Sequence, residues 1–137
     1  MSRRFECRLE VRSYELDSFG HVNNAVFLNY LEAAREDYLK QVGLSFDDFQ
    51  RWGAFPVVRR ASLEFLSPLR ANDRIIIAGE MTPLRRTGFR AHQVILQADT
   101  EARVLDATLE LVFTDRAGRP IAVPRAFREG LLELAEG

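Results

Sequence analysis

With a single cysteine, Cys7, the chain can form no internal disulfide and offers no Cys-x-x-Cys metal or redox site. Nothing in it approaches the ~18 uninterrupted apolar residues of a membrane-spanning helix. The opening Met-Ser-Arg-Arg-Phe-Glu lacks the apolar core of a signal peptide, and the expectation is a cytoplasmic protein. There is no G-x-S-x-G elbow, no glycine-rich phosphate loop and no H-E-x-x-H, which removes most of the case for a serine hydrolase of that type, a nucleotide enzyme or a zinc peptidase. Internal repeats, low-complexity runs and linkers are missing too. Lysine is nearly absent: Lys40 is the only one, so the positive charge is almost all arginine.

What is present is ordinary globular composition, 47% hydrophobic and 28% charged, in 137 residues. That length buries roughly two thirds of its unfolded surface as one unit, and the expectation is a single domain over residues 1–137. The net charge of −1 is unevenly spread: residues 51–90 carry eight arginines against three acids. Arginine grips phosphate in a forked geometry, so Arg59, Arg60, Arg85, Arg86 and Arg90 form a pool of candidate anion-binding residues. For any one of them, a solvated strand face or an ion pair is an equally good account. A nucleic-acid surface would need a larger one-sided basic excess with aromatics between, and is not expected.

Residues 5–12 alternate, apolar at Phe5, Cys7, Leu9 and Val11 and charged between, the period of a half-buried strand with a buried thiol. From Val26 apolar residues recur at helical spacing to about Val42, where Gly43 supplies a stop, and Asn23 or Asn24 can cap the first turn. The apolar face is broad enough to predict an enclosed helix. Ser45 can cap a short turn ahead of Asp47 and Asp48. After it come strand signals at 57–66, 74–81, 88–98 and 103–115, joined by short turns that require antiparallel pairing. Pro124 opens a closing segment to Leu134, helical if the proline occupies the first turn. One long apolar helix followed by four consecutive strands is buried only if the sheet curls around it, giving an α+β fold.

The chemistry concentrates between the first strand and the helix, in Tyr14-Glu-Leu-Asp17-Ser-Phe-Gly20-His21-Val-Asn23-Asn24. A loop at a helix N-terminus presents free N–H groups and the positive end of the helix dipole to an anion or carbonyl oxygen. Asp, Gly and Asn before a helix also simply build turns, and from the residues alone a structural role for Asp17 ranks ahead of catalysis. Ser18 is too close in sequence to Asp17 and His21 to converge with them as a triad. His92, mid-strand among exposed residues, is expected to be solvated or hydrogen-bonded, and Glu32 with Arg35 to pair along the helix.

Tyr14, Asp17, Gly20, His21, Val22, Asn23, Asn24 and Glu32-x-x-Arg35 resemble the signature of 4-hydroxybenzoyl-CoA thioesterase-like hotdog proteins. Weaker echoes follow in Phe65-x-x-Pro68 with Asp73, the Arg86–Phe89 stretch, and Gly118-x-Pro120 with Pro124. The resemblance implies a hotdog fold, a five-stranded antiparallel sheet wrapped around a central helix. It implies an acyl-CoA thioesterase with Asp17 as nucleophile or general base, needing no metal or cofactor beyond the CoA of its substrate. His21, Asn23 and Asn24 would orient the loop and hold substrate or water, and the arginine pool would hold CoA phosphates. It implies a homodimer or homotetramer with sites between subunits, acting on acyl-CoA or an acyl-carrier-protein thioester. Leu16 departs from the small polar residue that often precedes the aspartate. Two other classes stay open: a hotdog hydratase or dehydratase, for which His21 follows Asp17 one residue too soon, and a module that binds acyl thioesters without cleaving them.

Overall fold

A computed structural model of the chain describes residues 4–132. Strand β1 (Arg4–Glu10) is followed by a one-turn 3-10 segment at Ser13–Glu15, helix α1 (Asn24–Gln41), short helix α2 (Phe46–Trp52) and four strands. These are β2 (Phe55–Phe65), β3 (Arg74–Arg85), β4 (Gly88–Gln97) and β5 (Arg103–Thr114). A three-residue turn of helix, α3 (Arg125–Phe127), and a wider turn at Arg128–Leu132 close the described chain. The helical expectation for the closing segment is met only in these turns, and Leu134 lies outside the described residues.

All strand pairs are antiparallel, in the order β1-β3-β4-β5-β2. The two strands that flank α1 and α2 in sequence therefore form the two edges, an order that strand spacing could not supply. Inward-facing residues alternate along the three central strands: Ile75, Ile77 and Met81 on β3, Phe89, Ala91 and Ile95 on β4, and Leu105 through Phe113 at odd positions on β5. Against them α1 sets Phe27, Tyr30, Leu31, Ala34, Tyr38 and Leu39. Each large apolar side chain so removed from water contributes roughly 1.5–3 kcal/mol, and together they hold the helix in the concave face of the sheet. Tyr38 stacks on Phe5 with ring centroids 5.0 Å apart and donates its hydroxyl to the Ile77 carbonyl at 2.8 Å. That approach requires glycine at position 79, where a Cβ would stand 2.8 Å from the Tyr38 hydroxyl oxygen.

In one respect the helix differs from expectation. It is enclosed on one side only: Leu28, Glu32 and Ala33 are exposed. The sheet curls over a single face of α1, so the breadth of the apolar stripe exceeds what one chain covers. Strand β2 is likewise half dressed. Val57, Val58 and Phe65, with Leu66 just past the strand end, are each 42–50% exposed, and the outer edge of the strand has no partner among the described residues.

Candidate active site

The loop between β1 and α1 is closed by its own backbone. Leu16 and Val22 form an isolated antiparallel bridge, the Asp17 N–H donates to the His21 carbonyl at 2.7 Å, and the Gly20 N–H donates back to the Asp17 carbonyl at 3.1 Å. Gly20 makes this possible with φ +81°, a conformation that costs an L side chain energy. Within the loop the Asp17 carboxylate accepts the Phe19 N–H (2.9 Å) and the His21 N–H (3.2 Å), both through Oδ1. One oxygen thus fixes the carboxylate, and the other, Oδ2, carries no hydrogen bond from the described residues.

Asn23 is the cap of α1: its side-chain oxygen accepts the Ala25 N–H at 2.9 Å, and its carbonyl accepts the Val26 N–H at the same distance. With its side chain so engaged, Asn23 holds the helix end, while Asn24, the first helical residue, turns toward the same opening as Asp17. A cavity of about 300 Å³ is lined by Asp17, His21, Asn24, Phe27, Phe65 and Pro68, with Val22, Leu66 and Ser67 completing its wall. Three of the four residues expected to do chemistry meet there, along with both ends of the Phe65-x-x-Pro68 motif. The opening combines a free carboxylate oxygen, an imidazole and a helix N-terminus with aromatic walls.

The arginine pool lies elsewhere. Arg60 and Arg85 approach Glu110 at 3.7 and 3.8 Å, and Arg90 is the cross-strand neighbour of Glu110 on β4. Inward-facing Leu109 and Leu111 flank Glu110, so this cluster sits on the sheet face opposite α1. Arg59 occupies a bulge of β2, and Arg86 is exposed in the β3–β4 turn. None of the five lines the Asp17 cavity.

Arg35 makes no close ion pair with Glu32, although the Glu32 charge still favours its protonated form. Its Nη1 donates to Gln93 Oε1 at 2.9 Å, and the amide of Gln93 donates in turn to the Leu31 carbonyl, because burial places Arg35 nearer the sheet than the helix surface. Desolvation is the main reason its pKa falls below the usual guanidinium value. Arg35 also borders a second cavity of about 240 Å³ at the far end of α1, walled by Leu39, Phe49, Met81, Phe89 and Phe127. Gln93, fully buried, was visible in sequence as a polar residue in the inward phase of β4. His92 behaves as expected, its Nε2 2.9 Å from Asp106. Among the described residues no group of three or more His, Cys, Asp or Glu is placed to hold a metal ion.

Sequence reasoning assigned no role to Glu15. It is one of two buried polar or charged residues among the described residues, 8% exposed, and its carboxylate meets Arg12 and the hydroxyl of Tyr30. The signal available was Tyr30 itself, on the inner face of the helix with a hydroxyl that needed a partner.

The family model for the thioesterase-like superfamily matches residues 11–131. The chain is 32% identical over 128 residues to the acyl-acyl carrier protein thioesterase ATL3 of Arabidopsis thaliana, covering 93% of this chain and 67% of that protein. It is 28% identical over 138 residues to the long-chain acyl-CoA thioesterase FadM of Escherichia coli, covering 96% of this chain and 99% of that one. The fold superposes on Slr0204, a 1,4-dihydroxy-2-naphthoyl-CoA thioesterase from Synechocystis, with TM-score 0.86 at 21% identity over 92% of this chain and 93% of that chain. The curled five-stranded sheet, the helix it wraps and the match along nearly the whole chain place this protein in the thioesterase-like superfamily of hotdog-fold thioester hydrolases.

Proposed function

We propose that the protein hydrolyses acyl-CoA thioesters to the free acid and CoA, with Asp17 carrying the reaction. The observation that supports this most directly is the division of labour at the Asp17 carboxylate, Oδ1 held by two backbone N–H groups and Oδ2 free beside the N-terminus of an 18-residue helix. A thioester carbonyl in the cavity would lie between that oxygen and the N-terminus of α1, where the Asn23 cap takes the Ala25 and Val26 N–H groups and leaves the Asn24 N–H, with the positive end of the helix dipole, to favour negative charge developing on the carbonyl oxygen. Two routes use the same atom. Oδ2 attacks the acyl carbon, expels the thiolate and leaves a mixed anhydride for water to cleave, or it takes a proton from a water that attacks instead. His21 and Asn24 hold the carbonyl or the water. Neither route calls for a metal or cofactor.

The working unit in this reading is a homodimer or a pair of dimers. Strand β2 runs from the second cavity, at Pro56 and Val58, to the Asp17 cavity, at Phe65 and Leu66. Pairing β2 antiparallel with its copy covers the unpaired edge and sets the Pro56 end of one chain beside the Phe65 end of the other. It also carries the second copy's Arg59 and Arg60 toward the Asp17 cavity, where arginines are needed for CoA phosphates and the single chain provides none.

Thiol release from a panel of CoA esters of different acyl length and aromaticity tests the assignment. Release of one free thiol per acid formed is the expected result. Binding without release would point to a thioester-binding module, and conversion of an enoyl ester with the thioester intact to a hydratase.

A further inference from the structure

Asp17 is fixed within its loop by Phe19 and His21, but those bonds are local and do not fix the loop against α1. That second task falls to the residue two positions earlier. Glu15 Oε1 accepts the Arg12 N–H at 2.8 Å and the Tyr30 hydroxyl at 2.7 Å, while Oε2 accepts from the Arg12 guanidinium at 2.8 Å. The backbone of the same residue accepts the Asn23 N–H at 3.0 Å. The segment just after β1, the cap of α1 and the second turn of α1 therefore all meet at Glu15. Tyr30, 2% exposed and edge-on to the cavity-lining Phe27 at 6.1 Å, cannot move without moving the helix.

We propose that Glu15 is a positioning residue for Asp17: with Tyr30 and Arg12 it clamps the stem of the loop to the helix, setting the distance between the Asp17 carboxylate and the N-terminus of α1. The proposal rests on the reading that Asp17 carries the reaction. A charged acceptor suits the task. Hydrogen bonds to a carboxylate are roughly twice as strong as neutral ones, and Arg12 and Tyr30 supply donors that hold the carboxylate ionised below the usual carboxylate pKa despite its burial. Since small misplacements of a reacting group cost large factors in rate, loosening the clamp lowers the rate of the chemical step without removing a substrate contact.

The test measures kcat and KM for one acyl-CoA ester in Tyr30→Phe and Glu15→Gln, each alone and combined with Asp17→Asn. Tyr30→Phe removes one hydroxyl and keeps the ring, so it decides the matter if Glu15→Gln does not fold. The expected result is a fall in kcat of about tenfold or more with KM within about twofold. On the Asp17→Asn background neither substitution should cause a further loss, because each acts through Asp17. Parent kcat in folded Tyr30→Phe, a change confined to KM, or a further loss on the Asp17→Asn background would each overturn the clamp. If Asp17→Asn alone keeps parent kcat, the reading of Asp17 itself falls, an outcome distinct from a slow Asp17→Asn beside a normal Tyr30→Phe.

Discussion

Around Glu110 the balance of charge is positive: Arg60 and Arg85 both approach it, Arg90 lies across from it on β4, and exposed Arg59 and Arg86 belong to the same end of the sheet. One carboxylate cannot neutralise this set, and exposed pairs at 3.7–3.8 Å are weak enough to re-form around a phosphate. Reversing charge at Arg85 and Arg86 (Arg→Glu) should therefore raise KM for an acyl-CoA severalfold while sparing a short acyl thioester without the nucleotide. Equal effects on the two substrates, read from initial rates, would remove these residues from the phosphate site. At this scale the sequence was informative about identity and silent about partners. Asp17, His21 and Asn24 stood out by type and spacing, whereas Arg35 was expected to meet Glu32 and instead reaches Gln93. Which of several donors within reach wins is decided by the packing of α1 on the sheet, which no local pattern encodes.

Among the elements, β2 is the one whose sequence and surroundings disagree. It is eleven residues long, apolar in composition and largely exposed, and its outer N–H and C=O groups have no ladder partner among the described residues. Such an edge invites pairing with another chain, and the exposed Leu28 and Ala33 on α1 lie in the part of the helix that the sheet leaves uncovered. Light scattering at micromolar concentration should give at least twice the 15.7 kDa of the chain. Val57→Lys, which adds a charge on the edge strand without touching the core, should shift the protein toward a folded monomer with little activity. A parent protein that is both monomeric and fully active would contradict the shared site. Element type was legible for the five strands and for α1 and α2, because period-2 and helical patterns are local, whereas the closing segment forms only short turns where a helix was expected. The edge positions of β1 and β2 were not, since they depend on which strands the curl of the sheet brings together.

For the whole molecule, the fold follows from one constraint: a long apolar helix placed after the first strand must be covered, and four further strands with short turns cover it only by curling. That much was readable from hydrophobic period and turn length. The residues that line the candidate site stood out in the sequence, but the contacts that support them did not. Asp17 stood out by type and spacing, yet the contacts of Glu15 with Tyr30 and Asn23 join residues up to 15 apart and form only when α1 docks. The most direct test of the account is kcat for Asp17→Asn with an acyl-CoA ester, accompanied by a check that the variant is folded. Asparagine keeps a side-chain oxygen for the Phe19 and His21 N–H groups and so preserves the loop while removing the charge. The predicted result is a fall of roughly 10²–10⁴-fold, more if the nucleophile itself is lost, with the fold intact. A folded Asp17→Asn protein that releases thiol at the parent rate would show Asp17 to be a turn residue and contradict the mechanism.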